Sequence, residues 1–275
     1  MKRSSMHPAG NLRRRYRECP VKCERLDTHI AGLSTYFEVL SGILTPERTF
    51  WFRGHADLTW TLAPSALRFE HERERNRALG LLSEFKRIAE IRLSNPPDPN
   101  DELKWLQTAR HYGLPTRLLD WTQNSAIALY FACLRPQCDG MVFILNPVDL
   151  NSAGDPKNPR VFDALSDAAI IRPYLSLTGK RNPRGRRTIA IHPVLNSERI
   201  LLQRGVFTLH GSREFALSAA EAKSLLYVPI VREAKQDLRG QLESIGIDEM
   251  SIFPETEHIC NVICFNQSET FRRVG

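Results

Sequence analysis

The spacing of apolar positions predicts helices in the first half of the chain and strands in the second. Tyr36, Phe37, Leu40 and Ile43 recur at helical intervals over residues 34–43, and Thr35 and Glu38 stand three apart as in a capping box. An aromatic run over 48–54, ended by Gly54, predicts a short strand. A long helix is expected over 72–93, with Ala78, Leu82, Phe85 and Ala89 as its inward stripe, before the proline cluster at 95–99. A second helix is expected over 101–112, with Gly113 following it and Pro115 just beyond. A third, over 125–134, is apolar nearly all round and so should be packed on both sides.

Strand character follows at 140–145, 188–192, 199–202, 205–209 and 225–231. The proline-dotted stretch 147–187 is expected to run over the surface as a long insertion. A final amphipathic helix is expected over 233–245. Helices first and strands later, without strict alternation, predict an α+β fold. Residues 1–30 carry charge without periodicity and predict a basic N-terminal extension, leaving 31–275 as the folded domain.

Composition changes this picture little. The 275 residues suit one large domain or a domain with a small appendage, and 42% hydrophobic with 25% charged residues is ordinary for a globular protein. No apolar run nears the ~20 residues that span a bilayer, and the basic start lacks the apolar stretch of a secretory signal. A cytoplasmic location is expected, with no membrane partner. The six cysteines (Cys19, Cys23, Cys133, Cys138, Cys260, Cys264) lack zinc-knuckle spacing, so no metal is expected.

Charge adds more. The formal net charge is +7 and the pI about 9.3. Basic residues concentrate at Arg13-Arg14-Arg15-Tyr16-Arg17 and across 180–187. Each is either a solvated segment or a grip on phosphates, nucleic acid or an acidic protein.

Two segments carry candidate chemistry. Arg53 stands between bulky aromatics and Gly54, where an arginine is costly unless paired. Its fork suits a phosphate, a carboxylate or ribose hydroxyls, and Gly54 would admit a ligand to the backbone. The alternative is a structural ion pair with Asp57 or Asp120. The second segment, 107–122, crowds His111, Tyr112, Arg117, Asp120, Trp121 and Thr122 around one helix-to-strand turn. Polar groups of such variety in a loop point to function.

These motifs together resemble the FRG-domain family: Phe52-Arg53-Gly54, the run from Trp60 to Arg68, His111 through Thr122, and Ala128 to Ala132. The runs Arg199 to His210 and Ile252-Phe253-Pro254 are similar to that family's later signatures, so the resemblance covers roughly residues 35–260. A weaker resemblance links the chain to ADP-ribosyltransferases of the arginine–serine–glutamate type. Arg53-Gly54 matches the first signature, Asp120-Trp121-Thr122 occupies the place of the second, and 197–208 that of the third.

The resemblances imply a split β-sheet core with N-terminal helices and NAD as co-substrate. Arg53 would hold the nicotinamide-side ribose or the pyrophosphate, and Thr122 would sit beside the nicotinamide. Trp121 or Tyr112 could stack on a ring, and a carboxylate would stabilise the oxocarbenium or take a proton. Arg199 falls where the family has its glutamate, leaving Glu198, Asp120 or Glu255 as the acid. His111, Arg117, Gln203 and His210 complete the expected cleft.

The resemblance further implies a toxin of a bacterial anti-phage toxin–antitoxin module, with an RNA acceptor, an antitoxin and a chaperone as partners. A non-catalytic nucleotide- or nucleic-acid-binding module is the alternative. A nuclease ranks last, because paired metal-binding carboxylates are missing.

Overall fold

The computed structural model describes residues 24–26, 28, 30–175, 187–211 and 221–255. The Arg13–Arg17 run, four of the cysteines and most of the 180–187 run lie outside these residues. Among the described residues, eight strands form one mixed sheet in the order β1-β8-β4-β2-β3-β7-β6-β5. They are β1 (Glu24–Arg25), β2 (Trp51–His55), β3 (Leu118–Thr122), β4 (Gly140–Leu145), β5 (Phe162–Asp163), β6 (Ile189–His192), β7 (Gly205–Leu209) and β8 (Leu225–Ile230). Pairing is antiparallel except at the two edges, where β1 joins β8 and β5 joins β6 in parallel. With helices on its faces, this is an α+β fold.

The helices are α1 (Leu33–Ser41), α2 (Glu72–Ala89), α3 (Glu102–His111), α4 (Ser125–Cys133), α5 (Pro147–Gly154), α6 (Ala168–Leu175), α7 (Glu198–Leu202), α8 (Lys235–Ser244) and α9 (Glu249–Ile252). Short polar caps begin several of them. Asp101 accepts from the Lys104 amide ahead of α3, and Asn124 accepts from Ala126 and Ile127 ahead of α4. Gly113, at φ +83°, ends the turn after α3 in the left-handed region that glycine adopts without penalty. Helix α4 is buried along nearly its whole length, as its all-round apolarity predicts.

Strand alternation separates the core. On one face, Phe52, Val142 and Ile144 pack with α1, α4 and α8, while Leu118, Phe207 and Leu209 pack with α3 and α6. On the other, Trp51, Leu119, Trp121 and Phe143 form a second layer with Leu150 of α5.

Five expectations need correction. The described residues 147–175 do not run over the surface as an insertion: Leu150, Phe162, Ile171 and Tyr174 are buried, and they supply α5, β5 and α6, while 176–186 lie outside the described residues. Residues 199–202 are helical rather than extended, because Ser197 caps α7 by accepting from the Ile200 amide. Glu24 and Arg25, inside the expected basic extension, already belong to the sheet as β1. Thr35 is not the cap of α1 but stands three residues past the cap, Gly32, whose amide it accepts. Helix α2 stops at Ala89, short of Leu93.

The sheet has a thin waist. Strands β2 and β4 pair over five residues, as do β3 and β7, but β2 meets β3 at the single pair Phe52–Thr122. Beyond that pair the strands part. Gly54 lies on β2 at this opening, where a Cβ would fall 1.9 Å from the Ala128 carbonyl oxygen of α4.

Candidate functional site

A cleft of about 560 Å³ opens where β2 and β3 separate. One wall comes from β2, α3 and β3, bringing Arg53, Gln107, Arg110, His111 and Asp120. The other comes from α7 and the residues after it, bringing Ser197, Arg199, Ile200 and Gln203. Trp60, Phe131 and Phe207 give it apolar surface, a mix of apolar area and a few fixed polar groups typical of small-molecule sites.

Arg53 bridges the opening. Its Nη1 donates to the Asp120 backbone carbonyl at 2.5 Å and lies 3.7 Å from Asp120 Oδ2, while its Nε donates to His55 Nε2 at 3.1 Å. The guanidinium therefore satisfies a strand carbonyl at the point where β2 and β3 part. Of the two expected partners, Asp120 is the one it meets; Asp57 pairs with Arg135 at 3.4 Å. Burial lowers the Arg53 pKa to about 10, with Asp120 opposing the shift and Arg110 and Arg68 adding to it, so it stays charged at neutral pH.

Asp120 is claimed more tightly by Arg110. Arg110 Nε donates to Asp120 Oδ1 at 3.0 Å, Nη2 donates to Oδ2, and Nη1 donates to Ser65 Oγ at 3.2 Å. Burial alone would raise the Asp120 pKa, yet the charge and hydrogen bonds of Arg110, joined by Arg53, hold it below the usual carboxylate range. Two guanidiniums thus share one carboxylate, and Arg68 stands close enough to act on all three. The corner carries surplus positive charge, which suits an anionic ligand.

That balance sets a pH dependence. A carboxylate whose folded pKa lies below its unfolded value contributes stability that is present above about pH 4 and lost as pH falls through the folded value. Two buried histidines act at higher pH. Burial, reinforced by Arg53, lowers His55 well below its ordinary value, and burial with Arg53 and Arg117 takes His210 to about 3. The unfolded chain then takes up protons that the folded chain refuses, so stability declines as pH drops below about 6.5. Thermal unfolding midpoints measured from pH 7.5 to 4 should fall steadily, and His210→Gln should flatten that decline.

The remaining expected residues divide. His111 and Gln203 line the cleft, Gln203 Nε2 donating to the Ile252 carbonyl at 3.1 Å. Trp121 lines it in part, but the ring is buried and Nε1 donates to Thr208 Oγ1 at 2.9 Å. Thr122 also borders it, with its hydroxyl already donating to the Gln203 carbonyl and accepting from the Asn124 amide. Tyr112 is exposed and outside the lining, against Phe85.

Arg117 and His210 lie outside the lining as well. Arg117 is buried and donates to the carbonyls of Tyr174, Leu175 and His210, tying β3 to the end of α6. His210 Nε2 lies 3.0 Å from Thr208 Oγ1. Both are placed to hold the fold rather than a ligand. Glu198 sits on the exposed first turn of α7, outside the lining, since that segment is helical. Arg199 faces the cleft instead, with Glu255 at 3.4 Å and the Phe253 ring at 4.7 Å. Gly54 borders the cleft, but the close approach it permits is that of α4.

Sequence reasoning missed Gln107 and Arg110. Their signal was spacing: 107, 110 and 111 share one face of a helix, so all three reach the cleft together.

Among known families, the FRG domain matches residues 48–139. The chain carries an FRG domain. The match runs from the start of β2 past α4, so the FRG domain contributes Arg53, Gln107, Arg110 and Asp120 to the cleft, whereas α7 and β7 lie beyond it. No curated protein and no solved structure matches the chain.

Among the described residues, no group of three or more His, Cys, Asp or Glu side chains is placed to hold a metal ion. No helix there is long and apolar enough to cross a membrane.

Proposed function

We propose that the chain is an NAD-dependent ADP-ribosyltransferase toxin modifying a macromolecule, RNA first, within a bacterial anti-phage toxin–antitoxin module. The observation that carries this reading is Arg53, charged and half-buried, held at the opening between two parting strands beside Asp120. The single residue pair joining β2 to β3 supports the split-sheet reading of the core. Surplus guanidinium charge fits the pyrophosphate of a dinucleotide, and the aromatic surface of Trp60 and Phe131 fits a base or nicotinamide ring.

On this reading Arg53 and Arg110 hold the phosphates. Asp120 keeps its negative charge at neutral pH and would offset the positive charge that grows on the ribose as nicotinamide leaves. Because Arg110 holds it ionised, Asp120 acts as an electrostatic stabiliser rather than a proton carrier. Glu255 is the other acid beside the cleft, reached through Arg199, and its Oε2 is buried without a partner. The acceptor's nucleophile bonds to the ribose carbon as the bond to nicotinamide breaks, and its proton passes to solvent or to Glu255. An antitoxin, with a chaperone, would restrain such an enzyme in the producing cell, and the surroundings would be cytoplasmic.

A second reading is a non-catalytic nucleotide-binding module. It is favoured by the clamping of Asp120 by Arg110 and by Arg199, a base rather than an acid, facing the cleft from α7. Labelled NAD incubated with RNA, DNA and protein separates the two. The transferase reading expects label on one class, RNA first, lost in Asp120→Asn and retained within about twofold in Glu198→Gln, since exposed substitutions away from a site are close to neutral. NAD bound without label transfer would support the binding module. Growth arrest that persists in Arg53→Ala would sink the transferase.

A further inference from the structure

Gln107 is 1% exposed, yet neither its Nε2 nor its Oε1 has a hydrogen-bond partner. A buried amide normally makes several hydrogen bonds, and leaving both ends unmade is costly. The cost is harder to explain because α3 needs no polar group there: its neighbours Leu103, Trp105, Leu106 and Ala109 are all buried and apolar. Gln107 lines the cleft one helical turn before Arg110, whose guanidinium lies in the positively charged corner with Arg53.

We infer that Gln107 is a ligand-binding residue that takes a paired donor–acceptor edge of a nucleotide whose phosphates lie against Arg53 and Arg110. The amide offers one acceptor and two donors in a plane. It therefore complements a group that presents an acceptor beside an N–H donor, in the way that Asn and Gln side chains pair with the edge of adenine. A primary carboxamide presents the same pair. In a dinucleotide such as NAD, both the adenine ring and the nicotinamide carboxamide carry this edge, and the surplus positive charge at Arg110 favours the neutral adenine. The inference rests on the cleft being a nucleotide site, and it adds a residue that selects the base.

The test compares wild type with Gln107→Leu, an apolar replacement of similar size, by calorimetric titration with NAD and with ADP-ribose, which lacks nicotinamide. Loss of the paired bonds should weaken the relevant ligand about tenfold or more. Weakening of both ligands assigns the adenine edge, and weakening of NAD alone assigns the carboxamide. Unchanged affinity for both, with both bound by wild type, overturns the inference and leaves the nucleotide site standing. If wild type binds neither ligand, the nucleotide reading fails and this inference falls with it. Thermal unfolding supplies a readout that needs no ligand. Because Leu removes an unmet burial cost, Gln107→Leu should raise the melting temperature by a few degrees. A fall would mean that Gln107 is held structurally, and would overturn the inference whatever the ligands do.

Discussion

Gly54→Ala is expected to give a chain that does not accumulate as folded protein. An added Cβ would lie 1.9 Å from the Ala128 carbonyl oxygen, 2.6 Å from the Ala132 amide nitrogen and 2.9 Å from Phe131 Cβ. The first two are backbone atoms of α4, so no side chain can swing aside. Neither partner can retreat: β2 is pinned to β4 by five residue pairs, and α4 is buried along its length. Close-packed interiors do not absorb such an intrusion, and the cost should exceed about 4 kcal/mol, a large share of the 5–15 kcal/mol that holds a typical domain together. Gly80→Ala is the matching control. That glycine lies in α2 with nothing within 4 Å of its added Cβ, so the helix should gain up to about 1 kcal/mol. Soluble yield and thermal unfolding of the two variants read the contrast directly. Wild-type stability in Gly54→Ala would contradict the packing of α4 on β2.

Arg53→Ala is expected to carry the largest functional loss, about a hundredfold or more in NAD binding or label transfer, because it removes the fork that faces the parted strands. Its structural cost should be smaller, about 1–3 kcal/mol, from leaving the Asp120 carbonyl and His55 Nε2 without their donor. Arg53→Lys sharpens the point. A lysine keeps the charge, but its compact ammonium cannot reproduce the planar fork that reaches the Asp120 carbonyl and His55 together. The lysine variant should therefore recover only part of the stability, by reaching one of the two acceptors, and little of the function. Recovery of full activity by lysine would reduce Arg53 to a point charge and remove the geometric argument for its role.

What could be read from the sequence was what local chemistry decides. Strands 140–145 and 205–209 and the end of α3 at Gly113 emerge where the pattern places them, because β-branched runs and a left-handed glycine depend little on partners. Helix α4 was legible for a related reason: an all-apolar helix has to be enclosed. The segment 199–202 was not, since Arg-Ile-Leu-Leu is too short to show a period, and the Ser197 cap decides it. Phe162, Ile171 and Tyr174 were hidden among prolines and polar residues, and what brings them inward is their packing against β6 and β7.

The site followed the same division. Arg53 with Asp120 was visible as an arginine in an aromatic strand and an acid after a helix-to-strand turn. Arg117 and His210 looked equally functional, because a sequence shows a polar residue but not the carbonyls that occupy it. Gln107 went unmarked for the converse reason: an amide inside a helix draws no notice until its surroundings prove to hold no partner.

The most direct test of the central claim is release of nicotinamide from NAD by the purified chain, followed with and without added RNA. The transferase account predicts release by wild type that rises with RNA and is lost in Arg53→Ala and Asp120→Asn, both folded by thermal unfolding. Release that continues unchanged in Arg53→Ala, or no release at all at saturating NAD and RNA, would contradict it.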